Sequence, residues 1–295
     1  MRKALALARR SPTFFRTGRP CLYLNHGNRP SSRSNSQQLF STSIPFLKQR
    51  IMFRNPHKLL LPLTPDTPPD DTHLANYVYA HSSPPPHPAL DRLRAETIEK
   101  SGAAEMQVSP LQGATLYHFA RIKGAKRILE IGGFTGYSGI CLALSGAHVI
   151  SLELEPRYIE VAKRYAKECG VEERLDIIQG DAKESLQKLS PENPFDLIFI
   201  DADKGSYIDY YDTILEKGLL APDGVILVDN VLFFGYVFND LSQYQSLPKS
   251  RCNTAEHLKK FNAHVQADPR VEKLVLPWFD GLTVIQHKLS GAHKK

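Results

Sequence analysis

The chain has 295 residues, of which 42% are hydrophobic, so it is long and apolar enough for one large domain or two small domains. No run of 18 apolar residues occurs, which argues against a transmembrane helix. The formal net charge is +6, but 12 of the 37 basic residues lie in residues 1–65, which contain no acidic residue. The rest of the chain has 25 basic and 31 acidic residues, and this acidic balance argues against nucleic-acid binding by the body of the protein.

The amino-terminal residues 1–55 form a basic leader that is rich in Ser and Arg. This composition is typical of a mitochondrial transit peptide and predicts a mitochondrial matrix location, although a disordered basic tail would have the same composition. A second start at Met52 would instead give a cytoplasmic protein. We expect a Pro-rich linker over residues 56–72, a folded domain over residues 73–289 and a basic tail over residues 290–295.

Helical patterns come first in the folded domain, over residues 88–100 and 110–122. Five apolar strands then alternate with helices, over residues 127–131, 148–154, 175–179, 197–200 and 225–228. A loop, a helix and two strands complete the domain, over residues 234–253, 254–267, 271–276 and 282–286. Strand–helix alternation predicts an α/β fold in which helices cover both faces of a parallel sheet.

Charged side chains follow all five of the alternating strands, at the point where each strand ends. They are Glu130, Glu153, Asp181, the group Asp201, Asp203 and Lys204, and the pair Asp229 with the amide Asn230. In an open parallel sheet, ligands bind beyond the carboxyl ends of the strands. We therefore expect an acidic binding site at this edge rather than an ordinary solvated surface.

The turn after the first strand, GGFTGYSG at residues 132–139, is rich in glycine but lacks the GxGxxG spacing of a nicotinamide dinucleotide site. Glu153 lies about twenty residues further on, where a carboxylate can accept hydrogen bonds from ribose hydroxyls. The turn and Glu153 together indicate a bound ribose, and the alternative is a structural turn with a surface glutamate.

Asp201, Asp229 and Asn230 would bring three oxygen donors together at adjacent strand ends. Such donors suit Mg²⁺, or alternatively Ca²⁺ or Mn²⁺, and a cation between the carboxylates would make their crowding favourable. The alternative is that these carboxylates cap the amino termini of helices.

The segments LEIGGFTGYSG, GDA, LIFIDADKGSYIDYY and APDGVILVDN, in this order and spacing, resemble the cation-dependent O-methyltransferase family, whose members include caffeoyl-CoA and catechol O-methyltransferases. The resemblance extends over about residues 76–287, and DADK followed by DN is its most specific part. It implies a Rossmann-like class I methyltransferase fold, with a mostly parallel seven-stranded sheet whose last strand is antiparallel. It also implies bound S-adenosylmethionine, a divalent cation and a homodimer.

The resemblance also implies a role for individual residues. Cofactor contacts are implied for Val108, Glu130, Gly132, Gly133, Ser138, Glu153, Ala182 and Asp203. Metal ligands are implied for Asp201, Asp229 and Asn230, and Asp201 would also contact the substrate. Lys204 matches the catalytic base, and we expect its pKa to be depressed beside a cation.

The residues after Asn230 differ from the family pattern. Plant members often have Thr-Leu-Trp-Asn where this chain has VLFF at residues 231–234, and residues 236–252 do not resemble the plant acyl-CoA-binding segment. We therefore expect Phe233 and Phe234 to flank the ring of a small catechol-like phenol rather than a CoA ester. The predicted reaction is cation-dependent transfer of a methyl group from S-adenosylmethionine to a hydroxyl of this acceptor.

Two other functions stay open at this point. A non-catalytic assembly factor could have the same fold, because fold does not imply function. The presence of Asp201, Lys204, Asp229 and Asn230 argues against such a loss of activity. A nicotinamide-dependent oxidoreductase could share the sheet, and the missing GxGxxG motif argues against it.

Overall fold

The structure is a computed structural model that describes residues 77–83, 86–239 and 247–289. The predicted leader, linker and basic tail lie outside the described residues, and so do Met52 and the predicted start of the folded domain at residue 73. The described residues contain the whole of the predicted strand–helix alternation.

Within the described residues, seven strands form one sheet: β1 (Arg127–Ile131), β2 (His148–Glu153), β3 (Leu175–Gln179), β4 (Phe195–Ile200), β5 (Leu220–Val228), β6 (Val271–Leu276) and β7 (Leu282–His287). Their order across the sheet is β3-β2-β1-β4-β5-β7-β6. Neighbouring strands are parallel from β3 to β5, whereas β7 is antiparallel to both β5 and β6. The predicted seven-stranded sheet with a reversed last strand is confirmed.

The α-helices between residues 86 and 289 cover both faces of this sheet. They are α1 (Ala89–Lys100), α2 (Pro110–Lys123), α3 (Tyr137–Leu144), α4 (Pro156–Glu168), α5 (Ala182–Lys188), α6 (Tyr207–Glu216) and α7 (Lys249–Ala267). Buried side chains of α1 to α4 pack in one core layer, and those of α5 to α7 pack in the other. No helix among the described residues is both long and apolar enough to cross a membrane.

The central strand β4 shows how the sequence produces this arrangement. Leu197 and Phe199 belong to one core layer and Ile198 and Ile200 to the other, and all four side chains are fully buried. Successive side chains of a strand point to opposite faces, so an uninterrupted apolar run predicts a strand between two helical layers. The run ends at Asp201, which places that carboxylate at the edge of the sheet where ligands bind.

Two element boundaries differ from the predictions by five residues. Helix α7 begins at Lys249, so the prediction that residues 249–253 belong to a loop was wrong. Its first buried residue is Ala255, and the apolar periodicity that indicates a helix therefore starts a turn and a half late. Strand β5 begins at Leu220, five residues before the predicted start.

Candidate active site

The carboxyl ends of β1, β4 and β5 lie side by side and bring two of the predicted metal ligands together. The backbone N–H of Asp201 donates to the carbonyl of Ile131 at 2.9 Å, and that of Asp229 donates to the carbonyl of Ile200 at 3.0 Å. The parallel pairing thus continues one residue beyond each strand. Asp201 and Asp229 consequently leave neighbouring strands at the same level, and each carboxylate lies in the electric field of the other.

The glycine turn after β1 packs directly against this edge. Gly132 has a φ of +99°, and a Cβ atom there would overlap the carbonyl of Asp201. A Cβ atom at Gly133 would overlap the hydroxyl of Ser151. A side chain at Gly132 would therefore collide with the backbone just beyond β4, and a side chain at Gly133 would displace the Ser151 hydroxyl.

Glu130 is fully buried at the end of β1, below the glycine turn. Its Oε2 accepts a hydrogen bond from the hydroxyl of Ser151, whereas Oε1 has no hydrogen-bond partner among the described residues. Burial raises the pKa of Glu130 to about 7, although interactions with Ser138 and Ser151 oppose the rise. An unpartnered carboxylate oxygen in this position can accept a hydrogen bond from a cationic donor on a ligand.

Glu153, at the end of β2, also faces the glycine turn. Its Oε2 accepts from the N–H of Phe134 at 2.6 Å, and its Oε1 accepts from the N–H of Glu155 at 2.8 Å. The carboxylate is therefore fixed by two backbone donors, and it retains further lone pairs for ribose hydroxyls.

The four remaining cofactor predictions occupy other parts of the fold. Ser138 is buried in the first turn of α3. Asp203 follows β4, and its carboxylate accepts a hydrogen bond from the hydroxyl of Tyr210. Ala182 is the first residue of α5, follows the helix cap Asp181 and lies three residues after the end of β3. Val108 is buried in the core layer of α1 to α4, just before α2. Asp203 and Ala182 follow the carboxyl ends of β4 and β3, and their contact with a cofactor stays a prediction.

Lys204 is paired with Asp201. Its Nζ donates to Asp201 Oδ1 at 2.7 Å and lies 5.1 Å from the centroid of the Tyr207 ring. Burial by itself lowers the pKa of Lys204, but attraction to Asp201 and the contact with Tyr207 outweigh it and raise the pKa above its ordinary value. The depressed pKa that we expect beside a cation is therefore not a property of the polypeptide alone.

Asp229 is only 3% exposed. Its Oδ2 accepts from the Nε2 of Gln112 at 2.6 Å, whereas Oδ1 has no hydrogen-bond partner among the described residues. Burial and the nearby charge of Asp201 raise the pKa of Asp229 to about 7. The hydroxyl of Tyr207 donates to the Asp229 carbonyl at 3.2 Å, which fixes the backbone at this position.

Asn230 adopts a positive φ of 61°, a conformation that asparagine tolerates better than most side chains. Its Nδ2 donates to Asp280 Oδ2 at 3.2 Å, and the other oxygen of Asp280 accepts from the N–H of Phe234. Burial raises the pKa of Asp280 to about 6. The structure thus places a third carboxylate beside the predicted metal ligands.

Sequence reasoning missed Gln112 and Asp280. Gln112 lies 117 residues from Asp229 along the chain, and Asp280 lies 50 residues from Asn230. Neither belongs to a strand end of the parallel alternation, and the motif spacing that revealed the other residues gives no signal for such long-range partners.

The predicted acceptor residues form an aromatic cluster directly after Asn230. The ring centroids of Phe233 and Phe234 are 5.3 Å apart, and that of Tyr236 lies 6.1 Å and 6.2 Å from them. Phe233 and Phe234 have φ values of 42° and 54°, which are strained for aromatic residues. The backbone is therefore strained at both residues, which lie three and four positions after Asn230 along the chain.

Among the described residues, no group of three or more His, Cys, Asp or Glu side chains is arranged as a metal site. A cation at this edge would therefore depend on the amide oxygen of Asn230 in addition to the carboxylates of Asp201 and Asp229. Amide and carboxylate oxygens are ligands that suit Mg²⁺, Ca²⁺ and Mn²⁺.

Comparison with known proteins identifies relatives of the whole domain. The sequence profile of a family described as O-methyltransferase matches residues 80–288. The chain is 33% identical over 231 residues to the O-methyltransferase ankF of Aspergillus thermomutatus, and the match covers 75% of this chain and 95% of that protein. It is 32% identical to the catechol O-methyltransferase domain-containing protein 1 of Mus musculus, over 74% of this chain and 80% of that protein.

A solved methyltransferase structure also matches this chain. The SAH-bound methyltransferase PaMTH1 of Podospora anserina matches with a TM-score of 0.67 and 34% sequence identity, over 74% of this chain and 95% of that chain. These matches agree with the predicted class I methyltransferase fold and with S-adenosylmethionine as the cofactor. They favour the methyltransferase over the assembly factor and the oxidoreductase.

Proposed function

We propose that the protein, which belongs to the O-methyltransferase family of S-adenosylmethionine-dependent enzymes, methylates a hydroxyl of a small catechol-like phenol with the help of a divalent cation. Asp201, Asp229 and Asn230 would hold the cation, and Lys204 would act as the base. Mg²⁺ is the cation that this proposal favours, with Ca²⁺ and Mn²⁺ as alternatives.

One observation carries the cation proposal. Oδ1 of Asp229 is buried and has no hydrogen-bond partner among the described residues, and burial together with the nearby charge of Asp201 raises the pKa of the same carboxyl. A buried acceptor without a partner costs free energy, and a second carboxylate nearby increases that cost. A cation would relieve both costs, so the residues present fit such a ligand.

A second buried carboxylate oxygen, that of Glu130, supports the cofactor proposal. Oε1 of Glu130 is buried beneath the glycine turn and has no hydrogen-bond partner among the described residues, and Gly133 leaves the backbone of this turn bare. An ammonium group would satisfy this oxygen, and S-adenosylmethionine carries one on its methionine portion. We infer that Glu130 binds this ammonium while Glu153 binds the ribose.

The residues of the site would have different roles in methyl transfer. An aromatic hydroxyl has a pKa of about 10 and is a poor nucleophile at neutral pH. A bound cation would supply positive charge that lowers the pKa of both the hydroxyl and the Lys204 ammonium. Asp201 holds the Nζ of Lys204 in place, and Lys204 in its neutral form accepts the hydroxyl proton.

The transfer itself requires that two reactants meet in line. The acceptor oxygen forms a bond to the methyl carbon while the bond from that carbon to the sulfonium sulfur breaks. Glu130 and Glu153 would fix the methyl donor, and Phe233 and Phe234 would fix the acceptor ring. Such orientation can supply several kcal/mol, within the range of about 7–11 kcal/mol available to positioned reactants.

The acceptor class rests on the aromatic cluster of Phe233, Phe234 and Tyr236. Flat rings beside the cation ligands favour an aromatic acceptor over an aliphatic alcohol. The name of the mouse relative refers to catechol, which agrees with this class.

An acceptor panel tests the proposal. With S-adenosylmethionine and Mg²⁺ present, we expect labelled methyl transfer to catechol, weaker transfer to caffeoyl-CoA, and none to a cyclohexanediol of similar size. Equal transfer to the aliphatic diol would contradict the acceptor class, and transfer to none of these acceptors would contradict the proposed reaction.

A further inference from the structure

Two side chains outside the predicted ligand set contact the two adjacent ligands at the end of β5. Gln112 donates to Asp229, and Asp280 accepts from Asn230. We propose that Gln112 and Asp280 are positioning residues that orient Asp229 and Asn230 for cation binding. This inference rests on the proposed function, because it concerns the same cation site.

Gln112 determines which oxygen of Asp229 can bind a cation. Its Nε2 lies 2.6 Å from Asp229 Oδ2, and both side chains are buried, with exposures of 6% and 3%. Gln112 is itself held at the start of α2, where its backbone N–H donates to the cap Ser109. Because Oδ2 is occupied, Oδ1 is the buried oxygen that remains available.

Asp280 determines which way the amide of Asn230 faces. An ionised carboxylate only accepts hydrogen bonds, so it selects the amide nitrogen of Asn230 and turns the amide oxygen away from itself. The amide oxygen is the atom that a hard cation requires. An inverted amide would present a nitrogen donor to the cation instead.

The position of Asp280 is fixed by backbone bonds to the segment that it supports. Its carbonyl accepts from the N–H of Leu232 at 3.0 Å, and the carbonyl of Gly281 accepts from the N–H of Val231 at 3.1 Å. Its Oδ1 accepts from the N–H of Phe234. The same carboxylate therefore joins a metal ligand to the aromatic cluster of the acceptor site.

Mn²⁺ binding tests the proposal without reference to activity. Binding to the full chain without cofactor is measured by electron paramagnetic resonance, in which the signal of free Mn²⁺ decreases as the ion binds. Removal of partners that orient metal ligands typically weakens metal affinity by about 10–100-fold. We expect Gln112→Leu and Asp280→Asn each to raise the Kd for Mn²⁺ within this range. Gln112→Met is the second variant if the leucine variant does not fold.

Two control variants alter side-chain hydrogen bonds away from the proposed cation site. Gln107→Leu removes an amide that donates to Thr97 and Thr135, and Asp268→Asn alters a carboxylate that accepts from Tyr211. Both should lower the Tm while the Kd for Mn²⁺ stays within about twofold, since a purely structural role acts on stability alone. An equal loss of Mn²⁺ affinity in these controls would overturn the proposal.

The outcomes separate this inference from the proposed function. If Asp201→Ala and Asp229→Ala bind Mn²⁺ as tightly as the wild type, the cation site is not where we propose it. If those two variants lose binding while Gln112→Leu and Asp280→Asn keep the wild-type Kd, the cation site stands and the positioning role is wrong.

Discussion

Lys204 is proposed as the base and not as a metal ligand, so its replacement tests proton transfer separately from cation binding. It is held by Asp201 at 2.7 Å, and in the polypeptide alone its pKa is raised. Replacement of Lys204 by Ala should lower kcat by about 10²–10⁴-fold, the usual contribution of a general base. The Kd for Mn²⁺ should change much less than kcat, because loss of the nearby Lys204 charge favours cation binding while loss of its hydrogen bond to Asp201 opposes it.

A rise in pH should partly restore the activity of Lys204→Ala, because hydroxide can then remove the proton of the acceptor hydroxyl. The measurement is kcat for catechol between pH 7 and pH 9.5, with the wild type as control. A kcat that is unchanged by the substitution at pH 7 would remove Lys204 from the mechanism.

Glu130 gives a pH dependence with a definite sign. Burial raises its pKa to about 7, so in the free protein the carboxyl is largely neutral below pH 7. Binding an ammonium favours the ionised form, and a proton must be lost on binding at low pH. The Kd for S-adenosylmethionine should therefore rise as the pH falls from 7 to 5, by at most about tenfold per unit.

Isothermal titration calorimetry at several pH values measures this dependence. Glu130→Gln should bind the cofactor more weakly and without the slope, because its amide does not titrate. The assignment of Glu130 to the cofactor ammonium would be lost if the wild type showed no slope, or if the variant kept the same slope.

At the level of elements, the sequence predicted the parallel sheet well because apolar runs and strand-end carboxylates are local signals. The boundary errors have a physical reason. Strand β5 begins at Leu220 and passes through the exposed residues Pro222 and Asp223, which interrupt the apolar run. Helix α7 begins with an exposed turn at Lys249, which carries no apolar periodicity. The apolar pattern of a sequence indicates the buried part of a helix or strand, and it does not show where that element continues into solvent-exposed residues.

The site was only partly predictable for a related reason. Asp201 and Asp229 could be expected to meet because parallel strands place their ends at one edge, and the backbone bonds beyond β4 and β5 agree with this. Gln112 and Asp280 reach the site from α2 and from the turn between β6 and β7. Their contacts depend on how distant elements pack, which no local pattern encodes.

At the level of the whole molecule, the leader remains a prediction from composition. Residues 1–55, which contain no acidic residue, should direct a fluorescent reporter to mitochondria. A protein that starts at Met52 and carries the same reporter serves as the control and should stay in the cytoplasm. A uniform cytoplasmic signal from the leader fusion would contradict the mitochondrial prediction.

The homodimer is likewise a prediction, which light scattering of the purified chain can test.

The dependence of catechol methylation on Mg²⁺ tests the central claim most directly. For the wild type, the rate should saturate with Mg²⁺, fall at least about 100-fold in excess EDTA and return when Mg²⁺ is restored. Asp229→Ala should show no rate that depends on Mg²⁺, while its Kd for S-adenosylmethionine stays close to the wild-type value, because Glu130 and Glu153 remain. Full wild-type activity in excess EDTA, together with full activity of Asp229→Ala, would contradict the claim that a cation held by these residues drives the reaction.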